Sequence, residues 1–239
     1  MNQDTSSPLV FDRPYRALVM GSSGAIGAAF LSRLAKDPLC QHVHSLSRSQ
    51  GLGFDLQDES SLQAAALGCR SLGPFDLIID ATGALTLEGI GPEKALSSLQ
   101  QDQMQKVFQI NTLGPALLIK HFSPQLASGD AIYAKLSARV GSISDNKKGG
   151  WYSYRASKAA LNMVLQTAAI ELQRKNPRLR VVAMQPGTVK SELSKPFTSG
   201  LSTLLEPDES VQGLLKALKH LEPISGAHFV DHQGQPIPW

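Results

Sequence analysis

The chain is short of several things at once, and each shortage removes a class of function. It holds two cysteines in 239 residues, Cys40 and Cys69. They are too few and too far apart for a disulfide framework or a thiolate metal site, so a reducing cytoplasm is the expected location. The six histidines are dispersed, and the one close pair, His42 and His44, sits on a strand-like run; no metal is expected. No stretch approaches the ~20 apolar residues that a membrane span needs. Residues 1–14 are polar and lack the apolar centre of a signal peptide. Charge of one sign is scarce too: 23 basic residues against 20 acidic ones leave a formal +3, without a basic cluster. Nucleic acid and anionic membrane surfaces are therefore not expected as partners.

What is present is a regular alternation of short β-like runs with longer helical stretches, the pattern of a parallel sheet with crossover helices. Strands are predicted at 16–20, 42–47, 75–81, 130–136, 179–184 and 227–231. Helices are predicted at 24–36, with Ile26, Ala29, Phe30 and Leu34 inward, and at 92–101, 102–122, 152–175 and 209–221. A Gly/Ser-rich loop covers 137–150, and 186–205 is irregular and long enough for a lid. No repeat or linker divides the chain. The expected fold is α/β: a polar arm at 1–14, then one domain over 15–239, a doubly wound (Rossmann-type) parallel sheet flanked by helices on both faces.

Four motifs carry chemistry. Tyr154 and Lys158 stand four residues apart at the head of a helix, which puts them on one face, one turn apart. A free phenol titrates near ~10, and a fixed ammonium beside it favours the phenolate. The pair suits proton transfer to or from an oxygen, although the same spacing on many helices is only a surface pair. The run Gly21-Ser22-Ser23-Gly24-Ala25-Ile26-Gly27 lies between the first strand and the first helix. There the backbone can turn sharply against a pyrophosphate, and the helix N-terminus offers N–H groups and a positive dipole. At the end of the second strand stand Ser47 and Arg48, where an NAD binder usually carries an acid for the ribose 2′-hydroxyl. Arg48 can pair with a 2′-phosphate, with Ser22, Ser23 or Ser47 donating beside it, so NADP(H) is favoured over NAD(H). Pro186-Gly187-Thr188 follows a buried strand, where a C-terminal edge meets a cofactor crevice.

With these pieces in this order, the chain resembles the short-chain dehydrogenase/reductase family over essentially its full length. The family's Thr-Gly-x-x-x-Gly-x-Gly pattern is matched at Gly21 and Gly27, with Ala25 for the middle glycine and Met20 for the threonine. Asp55-Leu56 matches the acid-plus-apolar pair that holds adenine. The family's Asn-Ala-Gly appears as Ala81-Thr82-Gly83, and Asn111 matches the asparagine that kinks a helix and holds a proton-relay water. Tyr154 and Lys158 match the catalytic pair. The runs Ser-Ala-Arg-Val-Gly-Ser-Ile-Ser-Asp-Asn and Gly-Gly-Trp-Tyr-Ser-Tyr-Arg-Ala-Ser-Lys, with the Ile-Pro-Trp terminus, look like the C-factor and sniffer-type carbonyl reductase branch.

The resemblance implies NADPH-linked interconversion of a small-molecule carbonyl and its alcohol. Tyr154 would be the acid/base, Lys158 its ribose-binding partner, and Asn111 the link to solvent. Gly21, Ser23, Ala25, Ile26, Gly27, Ser47, Arg48, Asp55, Leu56, Ala81, Thr82, Gly83, Lys158, Pro186, Gly187 and Val189 would line the cofactor. The family's serine falls three residues before a glycine, which is Ala138 here; Ser137, one place earlier, is the candidate and Ser142 the substitute. Trp151, Leu193 and Phe197 would wall an apolar substrate pocket. A homodimer or homotetramer through the long helices is implied. The alternative is a regulator that senses NADP(H) with little turnover, which the altered glycine motif and displaced serine would suit.

Overall fold

The computed structural model describes residues 9–48, 54–190 and 204–239. Among them, six strands form one parallel sheet in the order β2-β1-β3-β4-β5-β6. They are β1 (Tyr15–Met20), β2 (Cys40–Leu46), β3 (Leu77–Asp80), β4 (Ile132–Leu136), β5 (Arg180–Gln185) and β6 (Ala227–Asp231). Successive side chains of a strand point to opposite faces, so a strand covered on both sides must be apolar throughout. The central strands are. Ala17, Val19, Leu77, Ile79, Ile132, Ala134, Val182 and Met184 point to one face and meet Phe30, Leu34, Val211, Leu214 and Leu218. Those partners come from helices α1 (Ala25–Leu34) and α6 (Pro207–His220). Leu18, Met20, Ile78, Tyr133, Val181 and Ala183 point to the other face and meet Leu62, Leu118, Phe122, Leu161 and Leu165. These belong to α2 (Glu59–Cys69), α4 (Gly114–Phe122) and α5 (Tyr152–Gln173). The sheet is thus doubly wound, as the alternation implies.

Strand order reverses between β1 and β3, and in such sheets the ligand crevice opens beyond the C-terminal strand ends at that point. Both the 21–27 turn and the 81–83 segment leave the sheet there.

The structure departs from the sequence pattern in three places. Helix α2 falls where the pattern names no element; its start is set by Asp58, whose carboxylate accepts the Ser60 N–H at 2.9 Å as an N-cap. The helix expected over 92–101 is only a single 3₁₀ turn, Leu96–Ser98. Residue Glu93 there is drawn away by bonds to the start of α5, and α3 (Gln101–Phe108) begins only afterwards. The long helix expected over 102–122 is broken by a π-helical turn, Gln109–Leu113, between α3 and α4. Ahead of the sheet, Val10 and Phe11 are buried. The Leu9 N–H and the Tyr15 hydroxyl both donate to the Asp37 carboxylate, at 3.1 and 2.7 Å. The second half of the stretch read as a polar arm is therefore packed on the domain.

Candidate active site

The first βα turn is built around close backbone approach. Gly21 has φ +79°, and a Cβ there would stand 2.9 Å from the Ala81 carbonyl carbon. A Cβ on Gly27 would stand 2.2 Å from the Gly21 carbonyl oxygen. The turn and the first helical turn thus fit together only without side chains at both positions. The Gly21 N–H donates to the Leu46 carbonyl at 2.8 Å, which ties the turn to the end of β2. Helix α1 starts at Ala25 with no side-chain cap and no acid in its first turn. Its first N–H groups are left for an anion. Ser23 and Ala25 are exposed and Ile26 is half-buried, so the alanine in place of the middle glycine points its methyl into open space.

At the end of β2, Ser47 is buried and Arg48 exposed, and Arg48 makes no ion pair with a described carboxylate. Asp55 holds its own turn, its carboxylate accepting the Gln57 N–H at 2.9 Å. Leu56 is buried against Gly114, where a Cβ would come within 2.7 Å of it.

Beyond β3 and β4 lie the candidate residues Tyr154, Lys158 and Asn111. Lys158 Nζ lies 5.6 Å from the centre of the Tyr154 ring and donates to the Leu136 carbonyl at 3.3 Å. Gly83, at φ +134°, is the meeting point: a Cβ there would be 3.1 Å from Asn111 Oδ1 and 3.5 Å from Lys158 Nζ. Asn111 sits in the π-helical turn and is clamped to Ala84, accepting its N–H at 2.9 Å and donating to its carbonyl at 2.8 Å. Burial pulls the Lys158 ammonium down to about 7, with nearby Lys135 adding to the fall and Asp80 opposing it. Loss of solvation pushes the Tyr154 phenol above its ordinary value. That runs opposite to the lowering expected from spacing alone, because here desolvation outweighs a lysine whose own charge is weakened.

The two candidate serines differ. Ser137 is buried and donates its proton to Asn162 Oδ1 at 2.6 Å. Ser142, buried at the far end of the 3₁₀ turn Arg139–Gly141, accepts the Asp145 N–H at 3.1 Å. Pro186, Gly187 and Val189 follow β5. Gly187 has φ +78° and abuts Leu205, while Val189 is buried and bridges to Leu205. Leu193 and Phe197 lie outside the described residues.

Three residues at the site were missed by sequence reasoning. Glu93 is buried and reaches the head of α5, its carboxylate accepting the Ser153 N–H at 3.0 Å and the Ser153 hydroxyl. Trp151, the residue before α5, adopts φ +56° and supplies no side-chain cap, so Glu93 caps the helix from a distant segment. Asp80 and Lys135 form a buried ion pair at 3.0 Å beneath the site. Two charged residues in otherwise apolar strand runs were the available signal.

Comparisons with known proteins identify the family and the fold. A family model described as short chain dehydrogenase matches residues 16–202. A 1-hydroxy-2-glutathionyl-2-methyl-3-butene dehydrogenase of Rhodococcus sp. (strain AD45) is 32% identical over 188 residues, 78% of this chain and 79% of that protein. The C-signal protein of Myxococcus xanthus is 34% identical over 168 residues, 70% of this chain and 94% of that one. Among solved structures, NADPH-bound carbonyl reductase from chicken fatty liver superposes with a TM-score of 0.84 at 24% identity, over 98% of both chains. At that identity the likeness is one of fold.

Proposed function

The chain belongs to the short-chain dehydrogenase family, and from that premise we propose that it is an NADP(H)-dependent oxidoreductase interconverting a small-molecule carbonyl and its alcohol. The observation that carries the proposal is that Lys158 and Asn111 meet at Gly83, beside the glycine turn, with the Tyr154 ring next to Lys158. The residues present suit the cofactor. Gly21 and Gly27 leave a turn that a Cβ would fill, and the uncapped start of α1 offers N–H groups to a pyrophosphate. Exposed Arg48, with no acid at the end of β2, suits a 2′-phosphate. The NADPH bound by the chicken carbonyl reductase points the same way.

When bound, NADPH supplies the hydride for the carbonyl carbon. Tyr154 is assigned the proton for the carbonyl oxygen, and the raised phenol keeps that proton available at neutral pH. Lys158 is assigned the nicotinamide ribose and the reprotonation of Tyr154, with Asn111 completing the path to solvent through water. Carbonyl polarisation is assigned to Ser142 in preference to Ser137. What favours Ser142 is that the Ser137 proton is held by Asn162, whereas the Ser142 oxygen accepts a bond and its own proton has no described acceptor. Trp151, 6.1 Å from the Tyr154 ring, is placed on the apolar wall of the pocket, so a hydrophobic aldehyde or ketone is the proposed substrate class. Exposed Leu113, Met163 and Ile170 support a homo-oligomer paired through α5 and the π-helical turn.

The test is NADPH oxidation over a panel of aldehydes, ketones and quinones. Carbonyl-dependent oxidation supports the proposal. Tight NADPH binding with no turnover over the whole panel would instead support the sensing role.

A further inference from the structure

Strand β4 carries a lysine where its neighbours are apolar. Lys135 is 1% exposed and stands in register with Asp80 on β3, which is fully buried. Taking two charges into a protein interior costs several kcal/mol per ion unless their bonding is nearly complete. Here it nearly is. Lys135 Nζ donates to Asp80 Oδ1 at 3.0 Å, to the Thr82 carbonyl at 2.6 Å and to the Thr82 hydroxyl at 3.0 Å. Asp80 Oδ1 also accepts the Thr82 N–H at 2.9 Å and the Thr82 hydroxyl at 2.6 Å. All three ammonium protons and every polar group of Thr82 are thus engaged in one knot.

The knot fastens a segment that matters. Ala81 and Thr82 lie against the Gly21 turn, and Gly83 lies against both Asn111 and Lys158. Neutral side chains could close a sheet end at lower cost, so the charges call for a reason beyond packing. We infer that Asp80 and Lys135 are positioning residues that set the 81–83 segment, and through Gly83 the surroundings of Lys158, for cofactor binding. The inference rests on the cofactor reading above. Lys158 is faced by Tyr154 from its own helix, by Asp80 and Lys135 from β3 and β4, and by the uncharged Asn111 amide and Leu136 carbonyl. Lys135 is the like charge in that set and Asp80 the opposite one, in line with the direction in which each moves Lys158.

The experiment measures NADPH affinity by nicotinamide fluorescence across neutral pH, beside thermal unfolding. The double variant Asp80→Asn/Lys135→Gln removes both charges but keeps an acceptor for the Thr82 N–H and a donor for its carbonyl. Thr82→Val keeps both charges and removes the hydroxyl link. Both are expected to stay folded and to bind NADPH about tenfold more weakly. In Lys135→Met, Lys158 loses its like-charged neighbour and keeps Asp80, so the pH above which binding weakens moves upward. Wild-type affinity and an unshifted pH profile in folded variants would overturn the inference. So would loss of fold in both the double variant and Thr82→Val, which would make the knot core support only. Failure of the wild type itself to bind NADPH would be a different result, sinking the cofactor reading together with the inference.

Discussion

Gly27→Ala sets two effects against each other, and the structure says which wins. On a free helix the change favours folding by about 1 kcal/mol, because glycine gives up more backbone freedom than alanine. In this protein the added methyl would stand 2.2 Å from the Gly21 carbonyl oxygen and 2.9 Å from its carbon. Ordinary contact begins near 3.4 Å, so the turn must give way by about 3.4 − 2.2 = 1.2 Å. Forcing a methyl into packed surroundings costs typically ~1–3 kcal/mol. Because the clash is with backbone atoms rather than a flexible side chain, the steric cost wins, and a net loss of stability of about 2 kcal/mol or more is expected. Binding suffers too, since a displacement of ~1 Å in a positioned site can cost about a hundredfold. Titration with NADPH, read by nicotinamide fluorescence beside a thermal melt, is expected to show at least that loss together with a lowered melting temperature. Ala25→Gly, which restores the family's glycine at an exposed position, is expected to change affinity by no more than about threefold. A Gly27→Ala protein that binds NADPH as the wild type does would refute the steric account of the turn.

Other expectations follow from single contacts. Arg48→Glu places a carboxylate where a 2′-phosphate is proposed; NADPH affinity should fall at least about tenfold while NADH affinity holds or rises, the gap narrowing with added salt. Equal losses for both dinucleotides would remove Arg48 from the specificity role. Ser142→Ala should lower kcat by roughly a hundredfold, the scale of one lost donor at a reacting oxygen. Ser137→Ala should leave kcat within a few fold and cost about 1–2 kcal/mol of stability, through the unsatisfied Asn162; the reverse pattern would return the role to Ser137. Glu93→Ala should destabilise by roughly 1–3 kcal/mol, because two bonds at the head of α5 are lost beside the helix dipole. Glu93→Gln, which keeps an acceptor, should recover part of that, and a neutral result for Glu93→Ala would deny it the capping role.

The fold was legible wherever burial is symmetrical about the sheet. Apolar runs such as 16–20 and 179–184 have only one economical place, the interior of a parallel sheet. Helix α2 escaped notice because its buried stripe holds one leucine, Leu62, beside Ala65, Ala66 and Cys69, a weak periodic signal; the Asp58 cap was its clearer mark. The 92–101 stretch looks helical by composition, but the side chain of Glu93 is committed to another helix, a tertiary contact invisible to local pattern. Tyr154, Lys158 and Asn111 were readable as candidates from spacing and motif; the fold sets Lys158 beside the Tyr154 ring and, with Asn111, against Gly83. The sense of the Tyr154 shift was not, since it depends on how much water the fold leaves around the phenol. The Asp80–Lys135 knot needs register as well as sequence, because nothing along the chain says that residues 80 and 135 stand opposite each other.

Tyr154→Phe tests the central claim most directly, since it removes one oxygen and little else. Against a carbonyl substrate that the wild type turns over, the account predicts NADPH affinity within a few fold of wild type and a fall in kcat of at least ~10² to 10⁴, the range of general acid–base catalysis. Turnover persisting near the wild-type rate in Tyr154→Phe would contradict it.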